Sequence, residues 1–336
     1  MNATVEDLVE LVADSRAERS VPLISVVVAT HERPALLTSL VRALEAQTMS
    51  SIDFEVIIVD DGSSGETSTV LRRLVAESPL QILAVRQSSG RGPASARNIG
   101  WRYSESGLLA FTDDDCAPTP TWLEAGYRAI EAGLATVIVG RTEPDPTLPR
   151  GPFSRTMVVR DIDWLPACNV FYRRADVESV GGFDERFPTP GGEDTDLAFR
   201  VRDERSGTFA FEERALIYHD VRESNFREAC REALRWVGIP LFFRIHPSAR
   251  NRLVARIFWK ESHPLALVAA LGVLLSPRRP ACAAFVIPWL QYRRRSGRPH
   301  GRRREAIPAL PGILVVDLLE VFTMVRGSLR SRTLVL

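Results

Sequence analysis

The first half of the chain alternates short apolar runs with amphipathic segments. Continuous apolar, β-branched runs occur at 21–29, 54–59, 80–85 and 108–112, and polar or turn-forming residues bound each of them. Such runs are typical of strands that are buried on both faces of a parallel sheet. The segments between them carry apolar residues at helical spacing. This alternation predicts βαβ units, and hence a Rossmann-like α/β fold whose mostly parallel central sheet is flanked by helices.

Further along the chain the pattern predicts strands at 135–139 and 164–172 and a final strand pair over 208–218. The stretch 141–163 is rich in Pro, Arg and Asp and predicts a long loop, of the kind that often forms a lid or binding loop. Residues 1–20 precede the first strand and carry apolar residues at helical spacing. They predict a short amphipathic helix.

The pattern changes near residue 222. A basic amphipathic helix is predicted over 222–237, and apolar runs follow at 264–275 and 281–290. Each run is shorter than the roughly 20 residues needed to span a bilayer. A last apolar stretch, 307–325, is interrupted by two acidic residues. Paired apolar segments flanked by arginine predict helices that lie on a membrane face, and a buried helical subdomain with a solvated basic surface is the alternative.

Charge is divided unequally between the two halves. The formal net charge is +1, but residues 1–221 carry −13 and residues 222–336 carry +14. Nucleic acid is disfavoured as a partner because no nucleic-acid-reading motif accompanies the basic residues. The N-terminus has no secretory signal pattern, so we expect a cytoplasmic protein, peripherally or monotopically associated with the inner face of the cell membrane. The expected parts are an N-terminal extension (1–20), an α/β domain (21–222) and a membrane-associating helical region (223–336).

Acidic residues follow two of the predicted strands. Asp60 and Asp61 end one strand, and Asp113, Asp114 and Asp115 end another. In such sheets, ligands bind beyond the carboxyl ends of the strands. Three adjacent carboxylates repel one another unless a cation lies among them, and Mg²⁺ and Mn²⁺ take oxygen ligands that they share with substrate phosphates. A solvated acidic turn that caps the next helix is the alternative interpretation.

The sequence lacks the glycine-rich dinucleotide and P-loop motifs, the zinc-protease motif and the nucleophile-elbow motif. The remaining candidates are acids, one arginine and one histidine. Asp61 could accept hydrogen bonds from a nucleotide base or ribose, or simply begin a turn. Arg97 lies near a predicted helix N-terminus, where phosphate is favoured, although it could also be an ion-pair partner.

The other candidates concern a metal ion and proton transfer. Asp115, together with Asp113 or Asp114, could hold a cation that bridges a diphosphate. His219 could complete that metal site or touch the phosphate, or be an ordinary histidine at the end of a strand. Asp194 is a candidate general base, and its alternative role is to cap the helix that it begins.

Five segments, taken together, resemble the family 2 glycosyltransferases of the GT-A fold, and their order and spacing make the match specific. They lie within residues 22–222 and are Ile24–Pro34, Val59–Ser63, Ala96–Gly100, Phe111–Asp115 and Gly192–Leu197. The resemblance implies an inverting transferase that uses a nucleotide-diphospho-sugar donor and a divalent cation, Mn²⁺ or Mg²⁺. The acceptor is then a hydroxyl group, on a lipid-linked or glycan molecule of the cell envelope, a glycolipid or a natural product.

With this resemblance we expect three groups of site residues. Those expected to bind the nucleotide sugar are Thr30, Glu32, Asp61, Arg97, Asp113 and Asp114. Those expected to bind the metal are Asp115, Asp113 and His219. The expected catalytic pair is Glu193 and Asp194, with Asp194 as the base. A nucleotidyltransferase on the same type of fold and a non-catalytic membrane-bound scaffold are the competing functions.

Overall fold

The structure, a computed structural model, describes residues 9–16, 21–187, 189–296 and 303–336. The chain divides into two compact units. The first unit comprises Met1–Asp145, Met157–Arg186 and Glu193–Asp220, and the second comprises Pro146–Thr156, Phe187–Gly192 and Val221–Leu336.

A nine-stranded sheet forms the centre of the first unit. Its strands are β1 (Val9–Asp14), β2 (Ile24–Thr30), β3 (Phe54–Asp60), β4 (Gln81–Gln87), β5 (Leu108–Asp113), β6 (Cys116–Pro118), β7 (Val137–Pro144), β8 (Asn169–Arg173) and β9 (Phe209–His219). They are arranged in the order β1-β4-β3-β2-β5-β8-β7-β9-β6. The strands β4, β3, β2 and β5 form a parallel block.

Helices cover both faces of this sheet. They are α1 (Pro34–Glu45), α2 (Gly65–Glu77), α3 (Pro93–Tyr103), α4 (Trp122–Glu131), α5 (Arg174–Ser179) and α6 (Glu193–Glu204). Alternate residues of the strands point to opposite faces, so Val56 and Ile58 pack in the cluster that contains residues of α1, α2 and α4. Ile57 and Val59 pack with Ala96 and Ile99 of α3 instead. The predicted α/β fold is confirmed.

The second half of the sheet is mixed rather than parallel. β8 runs antiparallel to both β5 and β7, whereas β7 and β9 are parallel. Because β7 continues to Pro144, the first four residues of the loop predicted at 141–163 belong to a strand. The two strands predicted over 208–218 form one strand, β9, which follows β7 past a register shift between Gly140 and Thr142.

The helix predicted over residues 1–20 is wrong where the structure describes that segment. Residues 9–14 form β1, which pairs antiparallel with β4 from Val9–Gln87 to Asp14–Leu83. The physical reason is the otherwise open edge of β4, whose backbone groups need partners. Residues 1–8 and 17–20 lie outside the described residues.

The second unit is helical. It contains α7 (Phe226–Ala233), α8 (Ile239–Ile245), α9 (Ser262–Leu275), α10 (Ile287–Arg295) and α11 (Arg303–Ser331), with 3₁₀ segments at Leu234–Gly238, Pro247–Arg252 and Pro280–Val286. The basic helix predicted over 222–237 is shorter in the structure. Asn225 caps α7, because its side chain accepts a hydrogen bond from the Glu228 backbone N–H while the Glu228 carboxylate accepts one from the Asn225 N–H.

Buried ion pairs join α11 to its neighbours. Asp317 accepts hydrogen bonds from Arg293 and from the Trp289 indole N–H, the latter at 2.8 Å. Glu320 lies 2.7 Å from Lys260 Nζ and 3.3 Å from His263 Nε2. The two acids that interrupt the apolar stretch 307–325 therefore contribute polar contacts between α11 and the segment 260–295, beside the apolar packing around Ile313.

Among the described residues, α11 is the one helix long and apolar enough to cross a bilayer by length and composition, and 33% of its most apolar window is buried in the protein. A core helix of a water-soluble protein meets the same criteria. The buried acids of α11 and their partners point to a helix that packs within its unit.

Replacing Asp317 tests the contribution of this packing. Asp317→Asn leaves the Arg293 charge buried without a counter-charge, so we expect the free energy of unfolding to fall by about 3 kcal/mol, measured by urea denaturation. Glu305→Gln, an exposed position on the same helix, is the control and should change stability by less than about 0.5 kcal/mol. Equal stability of the two variants would show that the pair contributes nothing.

Candidate active site

Strand register brings the acidic segments together at one edge of the sheet. Thr30, the last residue of β2, pairs with Asp60 on one side, and Ala29 pairs with Asp113 on the other. The Asp60-Asp61 pair and the aspartate triplet therefore flank the carboxyl end of β2. This is the edge at which open α/β sheets bind ligands.

Arg97 connects the triplet to the helix that carries the expected base. Its Nη2 lies 2.6 Å from Asp113 Oδ1, and its Nη1 lies 3.5 Å from Glu193 Oε1. Alternation along β5 places Asp113 on the same face as Phe111, the face that α3 covers, so α3 can present Arg97 to it. Burial works against ionisation of Asp113, but the Arg97 charge and hydrogen bond outweigh it and lower the pKa of that carboxyl.

The Arg97 guanidinium is thus already paired with two protein carboxylates. Only 6% of the residue is exposed, and its guanidinium neutralises two acids from different elements. We expected it to contact the nucleotide sugar. That contact stays a prediction, and the two ion pairs indicate a further, positioning role between the end of β5 and the first turn of α6.

Asp114 turns away from the solvent edge. Its Oδ2 accepts a hydrogen bond from Thr30 Oγ1 at 2.8 Å, and its Oδ1 accepts one from Arg33 at 2.9 Å. Burial raises the pKa of Asp114 to about 6, and the neighbouring Asp115 adds to this effect. The hydrogen bond between Thr30 and Asp114 therefore fixes both side chains beneath the surface of the site.

Arg33 is a site residue that the sequence reasoning missed. The same nitrogen, Nη1, lies 2.9 Å from Asp114 Oδ1 and 2.9 Å from Asp115 Oδ2. Arg33 directly precedes Pro34, the first residue of α1, and 38% of its side chain is exposed. Its position within the segment Ile24–Pro34, directly after the first strand, was the available signal.

Asp115 and His219 together offer a pair of ligand atoms. His219 Nε2 lies 3.3 Å from Asp115 Oδ1, an oxygen that is buried and has no hydrogen-bond partner among the described residues. The other ring nitrogen, Nδ1, lies 3.0 Å from the Asp220 carbonyl oxygen, which can only accept a hydrogen bond. With the proton on Nδ1, the Nε2 lone pair faces the carboxylate, and a cation between them relieves the repulsion. This donor pair fits a divalent metal.

The other metal candidates fit less well. Asp113 was expected to bind the metal, but in this structure its carboxylate is bound to Arg97. Cys116 has its sulfur within the same cluster as Asp115 and His219. Burial raises the pKa of the Cys116 thiol, however, and a protonated thiol is a poor ligand.

Asp61 organises the loop before α3. Its carboxylate accepts hydrogen bonds from Gln87 Nε2 (2.7 Å) and from the backbone N–H groups of Arg91 (2.7 Å) and Gly92 (2.8 Å). Burial raises the pKa of Asp61, whereas the two backbone hydrogen bonds lower it. An ionised carboxylate has about four acceptor positions, so Asp61 keeps little capacity for a further donor while the loop holds this conformation.

Glu32 joins two loops at the edge of the site. Its φ is +54°, an uncommon conformation for a residue with a side chain. Its carboxylate accepts hydrogen bonds from Ser64 N (2.7 Å) and Ser64 Oγ (2.8 Å), which lower its pKa. The structure therefore places Glu32 at the start of α2.

Asp194 lies in the first turn of α6. Its Oδ1 accepts the Thr195 N–H at 2.8 Å, and its Oδ2 accepts the Ala167 N–H at 3.3 Å. Burial raises the pKa of Asp194, while the positive charge of Arg97 partly opposes that shift. A half-buried carboxylate with a raised pKa is a stronger base than an exposed one.

The first unit is thus an α/β domain with a parallel block of strands and acidic residues at the carboxyl ends of those strands. Residues 25–179 match the model of glycosyl transferase family 2. This part of the chain belongs to that family, as the sequence resemblance implied.

Curated relatives agree with this assignment. Validoxylamine A glucosyltransferase from Streptomyces hygroscopicus subsp. limoneus is 32% identical over 291 residues, which cover 72% of this chain and 60% of the relative. The chain thus spans about three fifths of the length of the curated relatives it matches.

Two structural neighbours share the fold. The mannosyltransferase PcManGT from Pyrobaculum calidifontis, in complex with GDP-Man and Mn²⁺, has a TM-score of 0.54 at 16% identity and covers 95% of this chain and 90% of its own. S. aureus TarS 1–349 in complex with UDP-GlcNAc has a TM-score of 0.50 at 17% identity, and the coverage is 92% of each chain. At these identities the likeness concerns the fold.

Removing the charge of Arg97 tests its positioning role. Arg97→Met leaves Asp113 and Glu193 without their buried counter-charge, so we expect the free energy of unfolding to fall by about 3 kcal/mol or more. Arg97→Lys keeps the charge and should lose less. Exposed Arg42 of α1, replaced in Arg42→Met, is the control in the same urea titration. If Arg97→Met were as stable as Arg42→Met, Arg97 would not hold these two acids together.

Proposed function

We propose that this protein is a metal-dependent inverting glycosyltransferase, which moves a sugar from a nucleotide-diphospho-sugar to an acceptor hydroxyl. The observation that carries the proposal is the convergence at the edge of the sheet. Arg97 connects Asp113 of the triplet to Glu193, which precedes Asp194. Asp115 of the same triplet lies beside His219. The family membership of residues 25–179 supports the reaction class.

In the proposed reaction Asp194 accepts the proton of the acceptor hydroxyl. The hydroxyl oxygen then forms a bond to the anomeric carbon from the face opposite the diphosphate, and the bond between that carbon and the diphosphate oxygen breaks. The electron pair leaves with the diphosphate. A positioned general base typically contributes about 10²–10⁴-fold to the rate, and Glu193, bound to Arg97, fixes the helix turn that presents Asp194.

In the proposed reaction, Arg33 and a divalent cation neutralise the negative charge of the donor diphosphate. Asp115 and His219 would hold the cation, with Asp113 close by in the chain, and when bound it supplies Lewis-acid stabilisation of the departing diphosphate. Arg33 has an exposed guanidinium edge beside the same carboxylates and is placed to contact a phosphate oxygen. The GDP-Man and Mn²⁺ present in PcManGT, and the UDP-GlcNAc present in TarS, support extending this donor class and cation to the present chain.

The proposed acceptor is a lipid-linked or glycan hydroxyl, and the proposed location is the cytoplasmic face of the cell membrane, with peripheral or monotopic attachment. The charge of +14 over residues 222–336 supports this location because the inner leaflet is anionic.

The reaction class is tested by incubating the protein with UDP-, GDP- and dTDP-sugars, with and without Mn²⁺, and measuring released nucleoside diphosphate. We expect release from at least one donor, and only with the cation. Pyrophosphate release from a nucleoside triphosphate and a sugar phosphate would favour a nucleotidyltransferase. No turnover of any donor would favour a non-catalytic scaffold.

The role of Asp194 is tested by Asp194→Asn. We expect sugar transfer to fall by at least about 10²-fold, while calorimetry shows unchanged binding of the nucleoside diphosphate. Asp203→Asn, an exposed position on the same helix, should retain full activity. Loss of both transfer and nucleotide binding in Asp194→Asn would point to a purely structural helix cap.

The metal ligands are tested without turnover, by following the free Mn²⁺ signal in electron paramagnetic resonance during a protein titration. Asp115→Asn and His219→Gln should each weaken Mn²⁺ binding by about tenfold or more, since each removes one donor of the pair. Asp161→Asn, an exposed acid in the first unit, should bind Mn²⁺ as the unaltered protein does. Wild-type affinity in both site variants would place the cation elsewhere.

A further inference from the structure

Residues 262–295 form a hairpin, here called the apolar hairpin, in which α9 runs out and the segment 280–295 runs back. α9 packs inward through small side chains. The buried residues of α9 are Ser262, Ala266, Ala269 and Gly272, together with His263, which lies beside Glu320. Ala266 and Ala269 share a buried cluster with Trp289 and Ile313. The approach is closest at Gly272, where a Cβ atom would lie 2.7 Å from the Cys282 carbonyl oxygen.

Most of the large apolar side chains of α9 point the other way. At about 100° per residue, five of them fall on one arc of the helix, and all are exposed. They are Leu267 (40%), Val268 (43%), Leu271 (50%), Leu274 (71%) and Leu275 (37%). Phe285, Ile287 and Leu290 on the returning segment are also exposed. α9 therefore buries mostly small residues and exposes most of its large apolar ones. Leu265 packs against the buried cluster, and Val273 (53%) is exposed outside the arc.

This arrangement is the reverse of that expected in water. A helix in water gains stability by burying its largest apolar side chains. Helices in lipid have no such preference, because the lipid chains are as apolar as leucine, and they approach one another through small residues. We propose that the exposed face of the apolar hairpin is inserted among the acyl chains of an anionic membrane leaflet. This inference rests on the proposed membrane location and names the segment and the mode of attachment.

The charges of the hairpin agree with this occupant. It contains no Asp or Glu, and its exposed arginines lie at its two ends, Arg278 and Arg279 in the turn after α9 and Arg294 and Arg295 at the end of α10. Both ends are therefore suited to anionic headgroups, with the apolar face between them.

The length of α9 indicates how the hairpin lies. Its 14 residues extend about 21 Å, less than the roughly 30 Å thickness of the hydrocarbon core. A perpendicular hairpin would leave Arg278 and Arg279 inside the hydrocarbon, where charges are costly. In the plane of the membrane, both arginine pairs reach headgroups while the leucines enter the acyl region. A second copy of this chain is a weaker candidate occupant, because two faces flanked by the same positive charges repel each other.

The test uses the full chain and flotation with two kinds of vesicle, one of equal parts phosphatidylcholine and phosphatidylglycerol and one of phosphatidylcholine alone. The key variant combines Leu267→Ser, Leu271→Ser and Leu274→Ser. We expect its partitioning into the anionic vesicles to be weaker by roughly tenfold or more. The matched control replaces three exposed apolar residues of the first unit, Leu11→Ser, Ile52→Ser and Leu134→Ser, and should float as the unaltered protein does.

Depth of insertion is measured with an environment-sensitive fluorophore on Leu271→Cys, in a chain that also carries Cys230→Ser and Cys282→Ser. On anionic vesicles the emission should shift to the blue, as it does in an apolar environment. An unshifted spectrum on bound vesicles would overturn insertion and leave a purely electrostatic contact.

Two other results would also overturn the inference. One is equal flotation of the key variant and the unaltered protein. The other is the absence of vesicle binding together with a concentration-dependent dimer that the three Leu→Ser changes abolish, which would assign the face to a second copy. Nucleoside diphosphate binding, measured by calorimetry on the same variants, separates these outcomes from a failure of the proposed enzymatic function, because the changes lie outside the first unit.

Discussion

Several carboxylates lie close together at the carboxyl edge of the sheet, and their mutual repulsion destabilises the fold. Two arginines offset this repulsion. Arg97 is buried between Asp113 and Glu193, so a single guanidinium determines the separation of the triplet and the helix that carries Asp194. Arg33 reaches Asp114 and Asp115 from the opposite side. Removing charge from a buried pair leaves its partner uncompensated, so the geometry of the whole edge depends on these contacts.

The sequence was most informative where structure is local. The runs at 54–59 and 108–112 became β3 and β5 because a strand buried on both faces must be apolar throughout, and the acids at their ends fell at one edge because parallel strands share direction. Strand direction and pairing in the second half were not predictable. β8 is antiparallel to both neighbours, and residues 9–14 join the sheet through backbone hydrogen bonds, which no periodicity reveals.

The same distinction holds for the candidate site. The residue types could be chosen from sequence, since carboxylates at a sheet edge imply a cation. The side chains that pair with these candidate residues could not be predicted from sequence. Arg97 is an ion-pair residue, Glu32 is occupied by Ser64, and Arg33 was missed. For α9 the sequence is apolar on every side, so only the packing distinguishes the face that is buried from the face that is exposed.

The short and irregular outer strands of the sheet have a practical consequence. β1 has a register irregularity between Leu11 and Ala13, and β6 on the other edge is three residues long and ends at Pro118. Neither offers a long flat edge for strand addition. A fragment trimmed to residues 25–179, the family match, would lose β1 and uncover the seven-residue β4. The same fragment would lose β9 and uncover β7. A fragment that keeps β4 covered therefore begins no later than residue 9.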